Sequence, residues 1–341
     1  MATSSITRPR IVLCYPVESR HFARIEQQLS DIGIDAELID AGQQHIADEL
    51  LQADIYCGHA KVPVPWPEVV AQGRLQWIQS SAAGMDHCLT PEVVASDIVV
   101  TSASGVLADQ VAEQTFALLF GLLRSLPVFF RAQQAHEFVR LPTRDLHRAR
   151  VGIVGFGGNG RRLAEVLAPF RCELIATDLF PHDKPETVSQ LLPAEALDGL
   201  LPTLDVLILT APLTDQTCGM FDADRLARLP SHALLINVAR GAIVQEKALV
   251  EALAAGRLAG AGVDVTEIEP LDPASPLWDL PNVIITPHVG GQAATRIDDM
   301  TEFFCTNLRR FFSRQPLRNL VDKTLGFPRP EDAAWRIPGG Q

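Results

Sequence analysis

Arg240, Glu269 and His288 each stand at or just beyond a run of residues that reads as a β-strand: ALLINVARGAIV, GAGVDVTEIEPLD and NVIITPHVGG. The planar fork of a guanidinium holds a carboxylate in bidentate fashion and polarises a neighbouring carbonyl. Imidazole is the side chain best suited to exchanging a proton near neutral pH. A carboxylate beside it fixes its tautomer and supports its charged form. In an open α/β sheet, ligands bind outside the carboxyl ends of the strands, so these three strand ends point to one site. The trio suits reduction of a 2-oxo acid. Each member also has a plainer reading: Arg240 as the cap of a strand end, Glu269 as a solvated loop acid beside Glu267, and His288 as a structural histidine.

A second constellation is the glycine run GFGGNG, residues 155–160, directly after the strand-like VGIV and directly before an amphipathic stretch in which Leu163, Val166, Leu167 and Phe170 recur at helical spacing. In this context Gly155 permits a tight turn, Gly157 lets the backbone approach a pyrophosphate, and Gly160 allows the helix to pack closely on the strand. The helix N-terminus then attracts the phosphates. Asp178 closes the next strand-like run eighteen residues after Gly160, where a carboxylate accepts hydrogen bonds from ribose hydroxyls. The same charge repels a 2′-phosphate, and Leu179 and Phe180 bring no compensating arginine. The expected cofactor is therefore NAD.

These residues need a scaffold of parallel strands. From Arg10 the runs RIVLCY, AELID, ADIYC, LQWIQS and DIVVTS alternate with helix-like stretches, the pattern of a parallel α/β unit. A second series begins at Arg150 and continues through CELIATD, DVLILTA, ALLINVA, LAGAGVDV and NVIITP. Between them, Ala108 to Arg124 is apolar on nearly every face and so predicts a helix buried on several sides and stopped by Pro127. The stretch from Ser125 to Ala149 has no clear period and is expected to be a connecting arm. Phe304, Leu308, Phe311 and Phe312 keep helical spacing near the end, and the tail beyond Leu325 is expected to be loosely structured. The boundaries read as residues 1–103 for a first, substrate-binding part, 104–290 for a nucleotide-binding domain, and 291–341 for a return to the first domain with a tail.

Composition narrows the function classes. The 341 residues carry a net charge of −12, and no Lys/Arg cluster tracks a phosphate backbone, so nucleic acid is not an expected partner. The six cysteines lie far apart with no CxxC pair, which argues against a zinc site or a disulfide framework. The expectation is a cytoplasmic protein with no metal site. No long apolar segment predicts a membrane span.

With these motifs in hand, the chain resembles the D-isomer-specific 2-hydroxyacid dehydrogenases from about Ile11 to Leu325. The resemblance is carried by SSAAGMDH (80–87), VAEQTFALL (111–119), VGIVGFGGNG with Asp178, TAPLTDQT (210–217), INVARGAIV, AGVDVTEIEPL and PHVGG. It implies a doubly wound Rossmann-type coenzyme domain inserted into a flavodoxin-like substrate domain, a homodimer, and a small 2-oxo or 2-hydroxy acid as substrate. It places the catalytic arginine, glutamate and histidine on Arg240, Glu269 and His288. It places NAD contacts on Gly155, Gly157, Gly158, Asn159, Gly160, Asp178, Thr210, Ala211, Pro212, Val238, Ala239, Arg240, Asp264, His288 and Gly290. Substrate contacts fall on Lys61 and the backbone of Ala83 and Gly84, with Arg240 and His288. Two departures stand out. Asn159 replaces the aliphatic residue common before the last glycine. The loop CGHAKVP (57–63) offers only His59 and Lys61 where phosphoglycerate-using relatives present arginines. A glyoxylate- or hydroxypyruvate-type substrate is favoured. The alternatives are a D-3-phosphoglycerate dehydrogenase and a non-catalytic, NAD(H)-sensing protein of the corepressor kind.

Overall fold

The computed structural model describes residues 8–333, which form two compact units. One joins the chain up to Leu107 with the chain from Ala293 onward; the other runs Ala108–Gln292. The expected boundaries, 103/104 and 290/291, lie four and two residues from these.

In the first unit, β1 (Arg10–Cys14), β2 (Glu37–Asp40), β3 (Ile55–Gly58), β4 (Trp77–Ser80) and β5 (Val99–Thr101) form a parallel sheet of order β2-β1-β3-β4-β5. This is the flavodoxin-like doubly wound order. The helix Arg296–Phe312 completes the unit from the far end of the chain. Its apolar face follows the periodicity of Phe304, Leu308 and Phe311: Phe304 and Leu308 are fully buried, and the Trp77 ring lies 5.5 Å from Phe304 and 5.1 Å from Phe311. A bidentate Arg24–Glu302 pair at 2.6 and 2.8 Å joins this helix to the helix Ser19–Asp31.

The second unit holds β6 (Arg150–Val154), β7 (Glu173–Asp178), β8 (Gln190–Pro193), β9 (Val206–Leu209), β10 (Leu234–Asn237), β11 (Gly260–Val263) and β12 (Val283–Ile285), all parallel, in the order β12-β11-β10-β9-β6-β7-β8. Successive side chains of a strand point to opposite faces. Val206, Ile208, Leu234 and Ile236 accordingly join one core while Leu207, Leu209 and Leu235 join the other. A sheet buried on both faces reads as continuous apolar runs, which is why these strands are visible in the sequence. β8 is the exception. QLLP is short, half exposed and ends in proline, which an edge strand tolerates because it lacks a neighbour on one side.

The helix predicted from Ala108 runs Ala108–Leu123 and packs on β10, β11, β12 and the helix Gly158–Leu167. The connecting arm is not featureless as expected. Ser125 adopts a left-handed conformation (φ 56°), the chain bends by 68°, and Pro127 sits in the first turn of a new helix, Leu126–Gln134. Proline is compatible with that position because the first-turn N–H lacks an intrahelical partner anyway. No single helix among the described residues is long and apolar enough to cross a membrane. The tail is also more ordered than expected as far as Pro328: β13 (Val321–Asp322) pairs antiparallel with β14 (Phe327–Pro328). Residues 334–341 lie outside the described residues.

Gly241 marks the tightest approach between strand-end loops. A Cβ there would lie 1.9 Å from the carbonyl carbon and oxygen of Thr266 and 2.5 Å from the Glu267 nitrogen. These are backbone atoms, so the clash has no flexible side chain to absorb it. Gly199, in the helix Leu197–Leu200, has nothing within 4 Å of its Cβ position. Gly241→Ala should therefore cost at least about 3 kcal/mol, the upper end of ordinary overpacking. Gly199→Ala should instead stabilise by up to about 1 kcal/mol, the helix-propensity difference between the two residues. Urea unfolding of the two variants checks this; equal midpoints would contradict the close loop approach.

Candidate active site

Because all seven strands of the second unit are parallel, their carboxyl ends share one edge, and every predicted site residue of that unit lies at a strand end, on the loop leaving it or in the first turn of the helix that follows. The order reverses between β6 and β9, where the loops after the two strands diverge to opposite faces. Gly155 follows β6 at φ +91°, and a Cβ on it would meet Ala211 Cα and N at 2.5 and 2.6 Å. The two loops at the reversal are thus in backbone contact, and Thr210 Oγ1 locks them by donating to Gly155 O at 2.6 Å. Gly157 then caps the helix Gly158–Leu167, with Gly158 and Gly160 buried in its first turn and Asn159 between them. Asp178 ends β7. Its Oδ2 accepts from the Phe156 N–H at 2.6 Å and its Oδ1 from the Phe180 N–H at 2.8 Å. A side-chain-free turn, a helix N-terminus and a carboxylate at the neighbouring strand end fit the pyrophosphate and ribose of a dinucleotide. The carboxylate has about four lone-pair sites, so two remain for ribose hydroxyls.

The catalytic candidates come from three adjacent strands. Val238, Ala239 and Arg240 follow β10, and the fully buried Asn237 shapes their turn: its Nδ2 donates to Arg240 O at 3.0 Å and its Oδ1 accepts from the Ala239 N–H at 3.1 Å. Arg240 is half-buried, with Nη1 donating to Ala239 O at 2.8 Å. Glu269 lies on the loop after β11, and His288 just beyond β12. His288 Nδ1 donates to Glu269 Oε2 at 2.8 Å, with side-chain exposures of 45% and 37%. The bond assigns the Nδ1–H tautomer, so Nε2 is the nitrogen left to exchange a proton. Glu269 Oε1 accepts from the Thr266 N–H at 3.3 Å. The competing acid is engaged elsewhere: Glu267 Oε2 accepts from the Glu246 N–H at 3.0 Å, at the start of the helix Glu246–Ala254.

Asp264 is 2% exposed. Its Oδ1 accepts from Thr286 Oγ1 at 2.6 Å, the Val289 N–H at 3.0 Å and Gln114 Nε2 at 3.4 Å, while Oδ2 accepts from the Gly290 N–H at 2.8 Å. Expected as a cofactor contact, Asp264 is mostly occupied in holding the loop that carries His288. Asn237, Thr286 and Gln114 were not singled out from the sequence. Asparagine and threonine directly before the VAR and PH segments were the available signals.

In the first unit, Ala83 is exposed and Gly84 half-buried on the bend after β4, and Lys61 is exposed beyond β3 with its backbone N–H donating to Gln43 Oε1 at 2.7 Å. All six cysteines are free thiols. Burial pushes Cys14 up to about 11 and Cys305 up to about 12, so neither offers a thiolate near neutral pH. Among the described residues no group of His, Cys, Asp and Glu is arranged to hold a metal ion.

Comparison with known proteins places this geometry. Residues 116–290 match the family described as D-isomer specific 2-hydroxyacid dehydrogenase, NAD binding domain. A glyoxylate reductase of Thermofilum pendens is 32% identical over 280 residues, 79% of this chain and 81% of that protein. A D-isomer specific 2-hydroxyacid dehydrogenase of Xanthobacter autotrophicus Py2, solved with NADPH and MES, superposes with a TM-score of 0.79 at 29% identity, covering 94% of this chain and 99% of that one. The NADPH-dependent glyoxylate/hydroxypyruvate reductase SmGhrA of Sinorhizobium meliloti, solved with NADP and sulfate, gives a TM-score of 0.77 at 27% identity over 94% of this chain and 100% of that one. The match over the nucleotide-binding unit, the identity across most of the chain and the likeness of fold agree: the chain belongs to the D-isomer specific 2-hydroxyacid dehydrogenase family of oxidoreductases.

Proposed function

We propose that the chain interconverts a small 2-oxo acid and its D-2-hydroxy acid with NAD(H). The observation that carries this reading is the 2.8 Å bond between His288 Nδ1 and Glu269 Oε2 on the sheet edge that also carries Arg240. When bound, the nicotinamide supplies or accepts the hydride at C2 of the substrate. Arg240 binds the substrate carboxylate and polarises the adjacent carbonyl. His288, protonated, presents Nε2–H to the carbonyl oxygen and gives up that proton as the alkoxide develops; in oxidation the same nitrogen accepts it. Glu269 holds the ring and offsets the positive charge of the imidazolium. A non-catalytic sensing role would leave this pair without a task, and the reductases among the relatives favour an enzyme.

For the cofactor, Asp178 supports NAD. Its carboxylate is oriented by two backbone amides and carries its charge where a 2′-phosphate would have to lie. The NADPH and NADP bound by the two solved relatives make this the point most in need of a direct test. For the substrate, the relatives named glyoxylate or hydroxypyruvate reductase, and a 57–63 loop whose only basic side chains are His59 and Lys61, support a short, unphosphorylated oxo acid. Lys61, Ala83 and Gly84 are offered as substrate contacts on the resemblance alone. A homodimer is supported by exposed apolar side chains on the second unit, Phe130 at 58% and Phe138 at 88%, which a second copy would cover, and a cytoplasmic location by the free thiols, which suit a reducing compartment.

NADH oxidation should be measured with glyoxylate, hydroxypyruvate, pyruvate, phenylpyruvate and 3-phosphohydroxypyruvate, with glyoxylate or hydroxypyruvate expected to be best. His288→Ala should lower kcat by roughly 10²- to 10⁴-fold, the usual contribution of a general acid, with little change in NADH affinity. Arg240→Ala should raise the oxo-acid KM as well as lower kcat. A His288→Ala variant with near-normal kcat would remove the proposed acid.

Asp178→Ser should weaken NADH use and improve NADPH use. Relief of one charge–charge contact of roughly 1–3 kcal/mol corresponds to a shift of about 5- to 150-fold in their kcat/KM ratio. Loss of the bonds to Phe156 and Phe180 should also lower the melting temperature. Wild-type preference for NADPH would show the assignment of Asp178 to be wrong.

A further inference from the structure

His288 adopts a left-handed backbone conformation, φ 54°, which a residue bearing a side chain keeps only where its surroundings hold it. The holding contacts are visible. His288 N–H donates to Asp264 O at 2.7 Å and Thr286 O at 3.0 Å, and the next two amides, Val289 and Gly290, donate to the Asp264 carboxylate. That carboxylate is itself fixed from the other side. Thr286 Oγ1 has one proton, which it donates to Asp264 Oδ1 at 2.6 Å, while Thr286 Oγ1 itself accepts from Gln114 Nε2 at 2.8 Å. The donor directions run one way, from the Gln114 amide through the Thr286 hydroxyl to Asp264. Gln114 comes from the helix Ala108–Leu123, a segment 172 residues from Thr286.

We propose that Gln114 and Thr286 are positioning residues for the proton-transfer histidine. They orient the buried Asp264 carboxylate, which clamps the 288–290 backbone and so aims the His288 imidazole at Glu269. Neither residue meets the substrate or the reacting atoms in this scheme. Without the hydroxyl, Asp264 Oδ1 loses its shortest donor. A buried carboxylate short of donors rearranges or admits water, and the strained turn at His288 then loses its clamp.

The proposal rests on His288 being the proton-transfer residue, so the test has one readout that needs no turnover. Thr286→Val removes the hydroxyl at nearly constant shape, Thr286→Ser keeps it, and Gln114→Met removes the amide from the other end of the relay. In the NADH assay, Thr286→Val and Gln114→Met should lower kcat about 10- to 100-fold, a modest part of what a general acid contributes. The NADH KM should stay within threefold, and Thr286→Ser should retain most of the activity. In parallel, proton NMR should show a downfield Nδ1–H signal of His288 bonded to Glu269, assigned by its loss in His288→Gln. This signal should be kept in Thr286→Ser and weakened or lost in Thr286→Val and Gln114→Met. An unchanged signal and unchanged kcat in both apolar variants would overturn the proposal, as would a loss confined to NADH binding. If wild type turns over no oxo acid with either nicotinamide cofactor, the functional reading fails, while the NMR comparison still decides whether the relay positions His288.

Discussion

The parallel direction of every strand in the seven-stranded sheet is the constraint on which the rest depends. Each parallel strand must be followed by a return across a face of the sheet before the next begins, so the loops that start those returns collect on one edge. Helix N-termini and strand-end side chains are therefore brought together by topology before any of them contacts another. Arg240, Glu269 and His288 follow adjacent strands, β10, β11 and β12, and Gly241 allows the loops after β10 and β11 to touch through backbone.

Crowding so many loops at one edge also crowds their polar backbone, and most of the polar side chains there are occupied in satisfying it. Asn237 turns the Val238–Arg240 segment, Thr210 ties the loop after β9 to Gly155, and Asp264 takes the amides beyond His288. A buried carboxylate short of donors would be costly, and donors from the helix Ala108–Leu123 and the loop after β12 offset that cost. The reactive pair differs in kind. His288 and Glu269 remain substantially exposed, so the buried network supports a partly solvated pair. The arrangement separates the groups that hold geometry from those proposed to do the chemistry.

Much of this was legible in the sequence, for reasons that also explain what was not. Strands buried on both faces leave unbroken apolar runs, so β6, β7 and β9–β11 stood out, as did the short apolar run of the half-buried edge strand β12, and the trio stood out because each member follows such a run. β8 did not, since an edge strand needs neither a long apolar run nor a proline-free one. The helix Leu126–Gln134 was obscured by Pro127, which reads as a stop although it also suits a first turn. The choice between Glu267 and Glu269 was open locally; only the fold shows one acid at a helix start and the other against His288. The Gln114–Thr286–Asp264 relay is a long-range arrangement of ordinary residues, and no local spacing encodes it.

Asp178, the proposed specificity residue, is also part of the scaffold it would serve. Its two amide bonds tie the loop after β7 to the glycine turn after β6, so the carboxylate is oriented before any ligand arrives, and a preorganised charge discriminates at little cost in reorganisation. The same bonds spread part of its negative charge onto two peptide dipoles, and Arg161, stacked 5.0 Å from the Phe156 ring, donates to the carbonyls of His182 and Asp183 on the loop beyond. That loop is therefore held from both ends, by a carboxylate at its start and a guanidinium farther along. Exclusion of a 2′-phosphate then depends on how far the local field is offset as well as on the presence of the aspartate. Family members that share this strand-turn-helix can thus differ in cofactor through small changes in the residues around it, with no change in the sheet that presents them.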